Sequence, residues 1–158
     1  MLVIADTSAL VAVAACKGLH WLDALFTQVY VPQAVFQEAT VFGKPQAEKL
    51  LGYLQNKVLE IDLRDFIINT QGLGQGELEA MALYKLKHAD RLLIDDLKAR
   101  KAATHNHIKI IGSVGILLLA KKHGLIPAIK PYLFIIQQSD LHLSKDLIAH
   151  ALQLAGED

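Results

Sequence analysis

The chain has little cysteine and no long apolar run, and each shortage excludes a class of protein. With Cys16 as its single cysteine among 158 residues, it has no disulfide framework, which favours a reducing compartment and predicts a cytoplasmic protein. No uninterrupted apolar run reaches the roughly 18 residues of a membrane span. The apolar N-terminus also lacks the basic segment of a signal peptide. We therefore expect no membrane association.

The net charge is zero, but the charged residues are unevenly distributed along the chain. Residues 1–84 hold five Lys and Arg against nine Asp and Glu, residues 85–130 hold ten against three, and residues 131–158 hold one against four. The middle segment therefore carries a charge of +7. This excess predicts a surface that binds a phosphate-bearing polymer. The alternative is a chance imbalance on solvated helix faces.

Apolar residues are abundant, at 53% of the chain, and they form short strands that alternate with amphipathic helices. This alternation predicts a single α/β domain over 1–158, with three layers: a parallel sheet of about five short strands and helices on both faces. A loop or a short helix is expected at 64–71. The predicted strands are 2–5, 29–31, 58–62, 92–94 and 109–111, and predicted helices include 45–56, 116–123, 127–138 and 145–154.

Residues 72–101 contain the strongest signals for a functional site. A glycine-rich entry leads into an amphipathic helix, a tight turn, a short buried strand and a pair of aspartates. Glu77 falls in the first helical turn, where the positive end of the helix dipole favours a carboxylate. Glu79 lies about 200° further round the helix, so the two glutamates face different ways. We therefore expect Glu77 to flank the sheet edge and Glu79 to be solvated.

Acidic residues also follow the other predicted strands. Asp6 ends the first strand, Glu38 lies in the helix after the second, and Asp95 and Asp96 follow the buried strand. Carboxyl ends of parallel strands meet at one edge, where open sheets bind ligands. Carboxylates that converge without basic partners repel one another, and Mg²⁺ or Mn²⁺ relieves that repulsion. With Glu77, these acids predict a metal site that supports phosphoryl chemistry.

A purely structural interpretation of the same acids stays open. A glutamate at a helix start is often only a partner of the dipole, and aspartates after a strand often cap the next helix. Counting from the strand assigns the site to Asp96, while Asp95 would point to the other side of a continued strand.

Taken together, the motifs resemble the PIN-domain nucleases. The first strand ends in Asp-Thr-Ser, and a glutamate lies in the helix after Val-x-Val-Pro. Gly-Glu-x-Glu-Ala and Leu-Leu-Ile-Asp-Asp follow in the same order. The second half looks most like a toxin-like branch with L-I-D-D-x-x-A-R and then I-G-x-x-G-x-L-L-x-A-K. The resemblance covers almost the whole chain.

The resemblance implies a PIN-like fold and cleavage of RNA by a Mg²⁺- or Mn²⁺-dependent endoribonuclease, often the toxin of a prokaryotic toxin–antitoxin pair. Its catalytic and metal-binding acids would be Asp6, Glu38, Glu77 and Asp96, with Ser8 as a hydroxyl contact to the substrate. The wider family commonly has aspartate at the position of Glu77.

The expected partners are RNA, a cognate antitoxin protein and a second copy of the chain in a homodimer. RNA phosphates are expected to contact Lys98, Arg100 and Lys101, the basic residues nearest the acids in sequence. The alternative is a catalytically silent PIN-like module that keeps its acids and binds protein or RNA.

Overall fold

Five short apolar runs form an all-parallel sheet in the order β3-β2-β1-β4-β5. The structure is a computed structural model that describes residues 1–65 and 72–158. This sheet confirms the predicted α/β fold. The strands are β1 (Leu2–Ala5), β2 (Gln28–Pro32), β3 (Val58–Leu59), β4 (Arg91–Leu93) and β5 (Ile110–Ile111).

Helices cover both faces of the sheet and give the predicted three layers. Helix α5 packs on β1, β2 and β4, whereas α1 contacts α2, α7 and α8. Helix α3 contacts both α1 and α5 as well as strands β2 and β3. The helices of the described ranges are α1 (Thr7–Ala15), α2 (Leu19–Leu25), α3 (Gln33–Ala39), α4 (Ala47–Leu54), α5 (Gln75–Leu86), α6 (Leu97–His105), α7 (Ser113–Lys122), α8 (Lys130–Gln137) and α9 (Lys145–Ala155).

The central strands align their carboxyl ends at one edge. Ala5 pairs with Leu93, and Leu93 pairs with Ile111. The backbone N–H of Asp6 donates to Leu93 O at 2.8 Å and extends the contact one residue further. Strand β2 lies on one side of β1 and β4 lies on its other side, so the strand order reverses at β1. A crevice therefore opens at the carboxyl ends of β1 and β4. The first and last acids of the predicted site flank this crevice.

Burial explains why β1 is apolar at every position. Val3, Ile4 and Ala5 have no exposed surface, as expected for a central strand that helices cover on both faces. Helix α1 buries Ala9, Leu10 and several further small residues against the core. Asp6 is the residue between the end of β1 and the start of α1, so these two buried elements hold it and Thr7 at the crevice.

Some predicted element bounds are wrong. The third strand covers only Val58–Leu59 at the sheet edge. Helix α7 begins at Ser113 and not at residue 116, because Gly112 is the extended residue before it and a carboxylate of Asp95 accepts from Ser113 N. Of the expected loop or short helix at 64–71, the first residues belong to the 3-10 turn Leu63–Asp65, and residues 66–71 lie outside the described part.

No single helix in the described ranges is long and apolar enough to cross a membrane. One bent pair, α1 with α2, meets the requirement of length and composition when the two are taken together.

Candidate active site

Asp6 is the buried centre of the crevice, with 3% of its surface exposed. Its Oδ1 atom is buried and has no hydrogen-bond partner within residues 1–65 and 72–158. Burial is the largest cause that raises the pKa of Asp6 to about 7, and the charge of Glu77 comes next. A backbone hydrogen bond from Thr7 opposes the rise, while the charges of Glu38 and Asp96 add to it. Asp6 therefore lies within the electrostatic field of three other acids.

Glu38, in the last turn of α3, bridges the starts of two other helices. Its Oε2 accepts from Thr7 Oγ1 at 3.0 Å, and its Oε1 accepts from the backbone N–H of Gly76 at 3.2 Å. A β-carbon at Gly76 would lie 2.7 Å from both carboxylate oxygens, so only glycine leaves room for this approach. Sequence reasoning missed Thr7 and Gly76 as positioning residues, although each is the direct neighbour of a predicted acid.

Glu77 lies at the start of α5, where its Oε2 accepts from the backbone N–H of Gly74 at 2.7 Å. The prediction that Glu79 is solvated is wrong. Its Oε1 accepts from the backbone N–H of Ala34 at 3.2 Å, and its Oε2 accepts from the Gln75 side chain at 2.8 Å. Glu79 thus ties the start of α3 to α5, the two helices that carry Glu38 and Glu77.

The neighbours Asp95 and Asp96 face different surroundings. Asp96 is exposed at the start of α6, where its Oδ2 accepts from Ala99 N at 2.9 Å. Its negative charge contributes to the raised pKa of Asp6. Asp95 turns to the start of α7, where its Oδ1 accepts from Ser113 N at 2.8 Å. The structure therefore places Asp96, and not Asp95, in the field around Asp6.

The surroundings of Asp95 form a separate polar pocket. Burial raises the pKa of Asp95, and the hydrogen bond from the backbone N–H of Ser113 together with the charge of Arg100 opposes that rise. The guanidinium of Arg100 donates to Ile94 O at 3.1 Å and so lies beside the same carboxylate. Asp95 Oδ2 is buried without a hydrogen-bond partner in the described ranges.

The basic residues of α6 lie in different environments. The amino group of Lys98 lies against Gly72, in the entry to α5, and Lys101 is exposed. Arg100 is half-buried and directed to the pocket of Asp95. Of the three predicted RNA contacts, Lys98 therefore lies nearest the helix start that carries Glu77.

The rest of the basic segment lies at the opposite edge of the sheet. Lys85 and Lys87 end α5, and Arg91 and Lys109 stand at or just before the first residues of β4 and β5. These are the amino ends of the strands, whereas the acids lie at the carboxyl ends. The +7 segment therefore does not form a single surface.

The acids supply the oxygen ligands that Mg²⁺ or Mn²⁺ prefers, but in this structure their carboxylates do not point to one common position. Among the residues that the structure describes, no three acidic, histidine or cysteine side chains are close enough to hold a metal ion as they stand. Glu77 and Asp96 each accept a hydrogen bond at their own helix start, and losing such a cap costs about 0.5–2 kcal/mol. Carboxylate oxygens are the ligands that these cations prefer, and Asp6 Oδ1 has no hydrogen-bond partner among the described residues. The residues fit a hard cation.

Ser8, the predicted hydroxyl contact, is the second residue of α1. Its Oγ is buried without a hydrogen-bond partner in the described part of the chain. Ser8 and Asp96 both line a cleft that opens beside the acids.

Comparison with protein-family models gave a match over nearly the whole chain. The model of a family described as a PIN domain matches residues 2–157. No curated protein and no solved structure matches the chain.

Proposed function

The chain belongs to the PIN-domain family, whose members are generally nucleases, and we propose that it is an endoribonuclease that hydrolyses RNA phosphodiester bonds with Mg²⁺ or Mn²⁺. The observation that carries the proposal is Asp6. It is a buried carboxylate with one oxygen that has no hydrogen-bond partner in residues 1–65 and 72–158, and the charges that act on it come from Glu77, Glu38 and Asp96. A cluster of like charges of this kind, at the ligand-binding edge of a parallel sheet, is typical of a functional site.

In this proposal Asp6, Glu38, Glu77 and Asp96 hold the cation through carboxylate oxygens. When bound, a divalent cation supplies an activated water and stabilises the attacking and leaving oxygens of an in-line displacement. Glu38 keeps its place through Thr7 and Gly76, which orient the carboxylate towards the crevice. The raised pKa of Asp6, about 7, means that cation binding releases a proton from this group below neutral pH.

Basic residues beside the crevice would hold the RNA backbone. Lys98 lies against the entry to α5, and Lys101 is exposed on the same helix, α6. Phosphate contacts by lysine supply sequence-independent affinity that weakens with salt. Arg100 lies beside Asp95 in its own pocket, so we assign it to the support of α6 and α7 and not to the backbone contact.

The direct test is cleavage of labelled single-stranded and structured RNA with Mn²⁺ or Mg²⁺, followed by excess EDTA. We expect cleavage with the cation and none after chelation. Single-stranded DNA of the same sequence serves as the substrate control. Absence of RNA cleavage with either cation would overturn the proposal, and cleavage that persists in EDTA would overturn its metal dependence.

The second candidate function is a silent PIN-like module that binds RNA or protein. It is favoured by one observation, that no three metal-ligating side chains converge in the described ranges. Thermal unfolding separates the two candidates, because a cation that binds only the native state raises the melting temperature. A silent module shows no such rise with Mn²⁺ and no cleavage, yet it still binds RNA or protein.

We further propose that the protein acts in the cytoplasm as the toxin of a toxin–antitoxin pair and forms a homodimer. An exposed apolar surface of Val41, Phe42 and Leu51 supports a protein partner, since Phe42 is fully exposed. A short open reading frame beside the gene, whose product relieves growth arrest, would support the antitoxin. Sedimentation of the purified chain tests the homodimer.

A further inference from the structure

The cleft beside Asp96 and Ser8 has a volume of about 700 Å³, within the range of small-molecule binding sites. It lies between α1, the segment that leads into α4, and the segment that follows α8. It shares Asp96 with the acids of the candidate active site. Its lining residues are Ser8, Val11, Ala12, Ala15, Pro45, Gln46, Asp96, Ile135, Gln138, Ser139, Asp140 and Leu141.

One face of α1 makes the apolar floor of the cleft. Ser8, Val11, Ala12 and Ala15 fall at positions i, i+3, i+4 and i+7, so they share one side of the helix. Val11 and Ala15 are partly exposed there although the rest of α1 is largely buried. Val11, Ala12 and Ala15 present apolar side chains to the cleft, and apolar side chains can pack on the face of a planar base.

The polar groups of the cleft are mainly hydrogen-bond acceptors and amides. Asp96 and Asp140 supply carboxylates, and Gln46 and Gln138 supply amides that can both donate and accept. Gln46 also has a left-handed backbone, with φ of 68°, which residues with a β-carbon rarely adopt. Among the residues that the structure describes, no lysine or arginine lines the cleft, so its carboxylates repel a phosphate.

These features exclude the RNA backbone from the cleft and favour an uncharged ring with amino groups. Adenine, cytosine and guanine each present an exocyclic amino group, which a carboxylate accepts well. Uracil has no exocyclic amino group, because both of its exocyclic substituents are carbonyl oxygens, and an oxygen there would face the carboxylates. Single-stranded RNA can turn a base out of its stack into a pocket. The shared residue Asp96 places such a base beside the acids.

We propose, on the basis of the ribonuclease function above, that this cleft binds the base of the nucleotide next to the scissile phosphate and selects bases with an exocyclic amino group over uracil. The floor of α1 stacks on the base, and Asp140 accepts from its amino group. Gln46 and Gln138 contact the remaining edge. The cleft thus determines specificity, while the acids carry out hydrolysis.

The test compares single-stranded RNA oligonucleotides of uridine that carry one adenosine, cytidine or guanosine at a defined position, with all-uridine RNA as reference. With Mn²⁺ we expect cleavage next to the amino-bearing base to be at least about fivefold faster than at uridine steps, the smaller end of what one good base contact gives. Cleavage that is equally fast at every step would overturn the proposal.

Two variants connect this preference to the cleft. Asp140→Asn replaces the carboxylate acceptor and should reduce the preference to about twofold or less, whereas Asp158→Asn, an exposed carboxylate outside the cleft, should leave it intact. Ala15→Phe fills the cleft and should remove the preference, provided that circular dichroism shows a folded protein. A preference that survives in both Asp140→Asn and folded Ala15→Phe would overturn the assignment.

A binding measurement keeps the inference separate from hydrolysis. Fluorescence anisotropy in EDTA reports the affinity of the wild type for the same oligonucleotides. If no RNA is cleaved under any condition but amino-bearing oligonucleotides bind more tightly and Asp140→Asn removes the difference, the proposed ribonuclease function fails and the base site stands. Equal affinity for all oligonucleotides would overturn the base site.

Discussion

Asp6 and Asp95 follow neighbouring strands, and burial raises the pKa of both carboxyl groups. Each also has one buried oxygen without a hydrogen-bond partner in the described ranges. Their neighbours differ. At Asp95, the backbone N–H of Ser113 donates a hydrogen bond and Arg100 supplies a positive charge, and both oppose the rise. At Asp6, every side-chain charge that acts on the carboxyl group is another acid.

On this difference rests our proposal that Asp95 is a structural acid and Asp6 a functional one. A buried carboxylate that meets an N–H at a helix start and a guanidinium is accounted for by the fold, because these groups stabilise its charge. A buried carboxylate among other acids makes the metal-free protein less stable at neutral pH. Such an arrangement persists when the site binds something that compensates for the charge.

The largest expected effect is that of Asp6→Asn. Loss of a metal ligand should reduce RNA hydrolysis by at least about 100-fold, since even residues that only orient ligands cost 10–100-fold. In EDTA at neutral pH the variant should be as stable as the wild type or more stable, and Mn²⁺ should stabilise it less. The measurements are RNA cleavage and urea unfolding with Mn²⁺ and with EDTA.

The matched control is Asp95→Ala, at the other buried carboxylate. It leaves the N–H of Ser113 without its partner, so we expect a loss of about 1–3 kcal/mol in the free energy of unfolding, with or without metal. Hydrolysis by the folded variant should stay within a few-fold of the wild type. If Asp95→Ala removed hydrolysis and Asp6→Asn did not, the two assignments would have to be exchanged.

The next effect is a pH dependence of the metal-free protein. The pKa of Asp6 rises from 3.8 in the unfolded chain to about 7 in the folded protein. Between these pH values the folded state therefore binds more protons than the unfolded state. Its contribution to stability is full below pH 4, falls as the pH rises and is lost above pH 7, a change on the order of a few kcal/mol. Relative to Asp6→Asn, the wild type should therefore lose stability from about pH 4 to pH 7 in EDTA. Parallel curves would contradict the raised pKa.

Two glycines give a finer comparison between the same two sites. A β-carbon at Gly76 would lie 2.7 Å from the oxygens of Glu38, and one at Gly112 would lie 2.8 Å from Oδ1 of Asp95. Gly76→Ala should displace the flexible Glu38 and reduce hydrolysis by about 10- to 100-fold with little change in stability. Gly112→Ala should cost about 1–3 kcal/mol by overpacking, with hydrolysis retained. Kinetics and urea unfolding of both variants test this, and an equal loss of activity in the two would contradict it.

The smallest expected effect concerns the RNA backbone. Lys98→Ala and Lys101→Ala should each reduce the salt dependence of RNA binding by about one unit of slope. Lys85→Ala and Lys87→Ala remove the same charge at the opposite edge of the sheet and should leave the slope unchanged. Anisotropy at several salt concentrations measures this. Equal changes in all four variants would mean that RNA covers both edges.

The sequence alone was sufficient to predict the fold and the edge of the sheet at which the acids lie. Apolar runs that alternate with amphipathic helices specify a parallel sheet, and parallel strands bring their carboxyl ends to one edge. Asp6 and Asp96 were therefore expected at the same crevice before any contact was known. Their roles in metal binding and catalysis stay predictions.

Tertiary structure alone decided the individual environments of these side chains. Strand β4 ends at Leu93, so the alternation of strand faces no longer determines where Asp95 and Asp96 point. Glu79 was expected in solvent because helical spacing defines its side of α5, but only packing brings the start of α3 to that side. Arg100 turns to Asp95 for the same reason. Local periodicity determines the face of an element, and the partner that covers that face comes from residues distant in the chain.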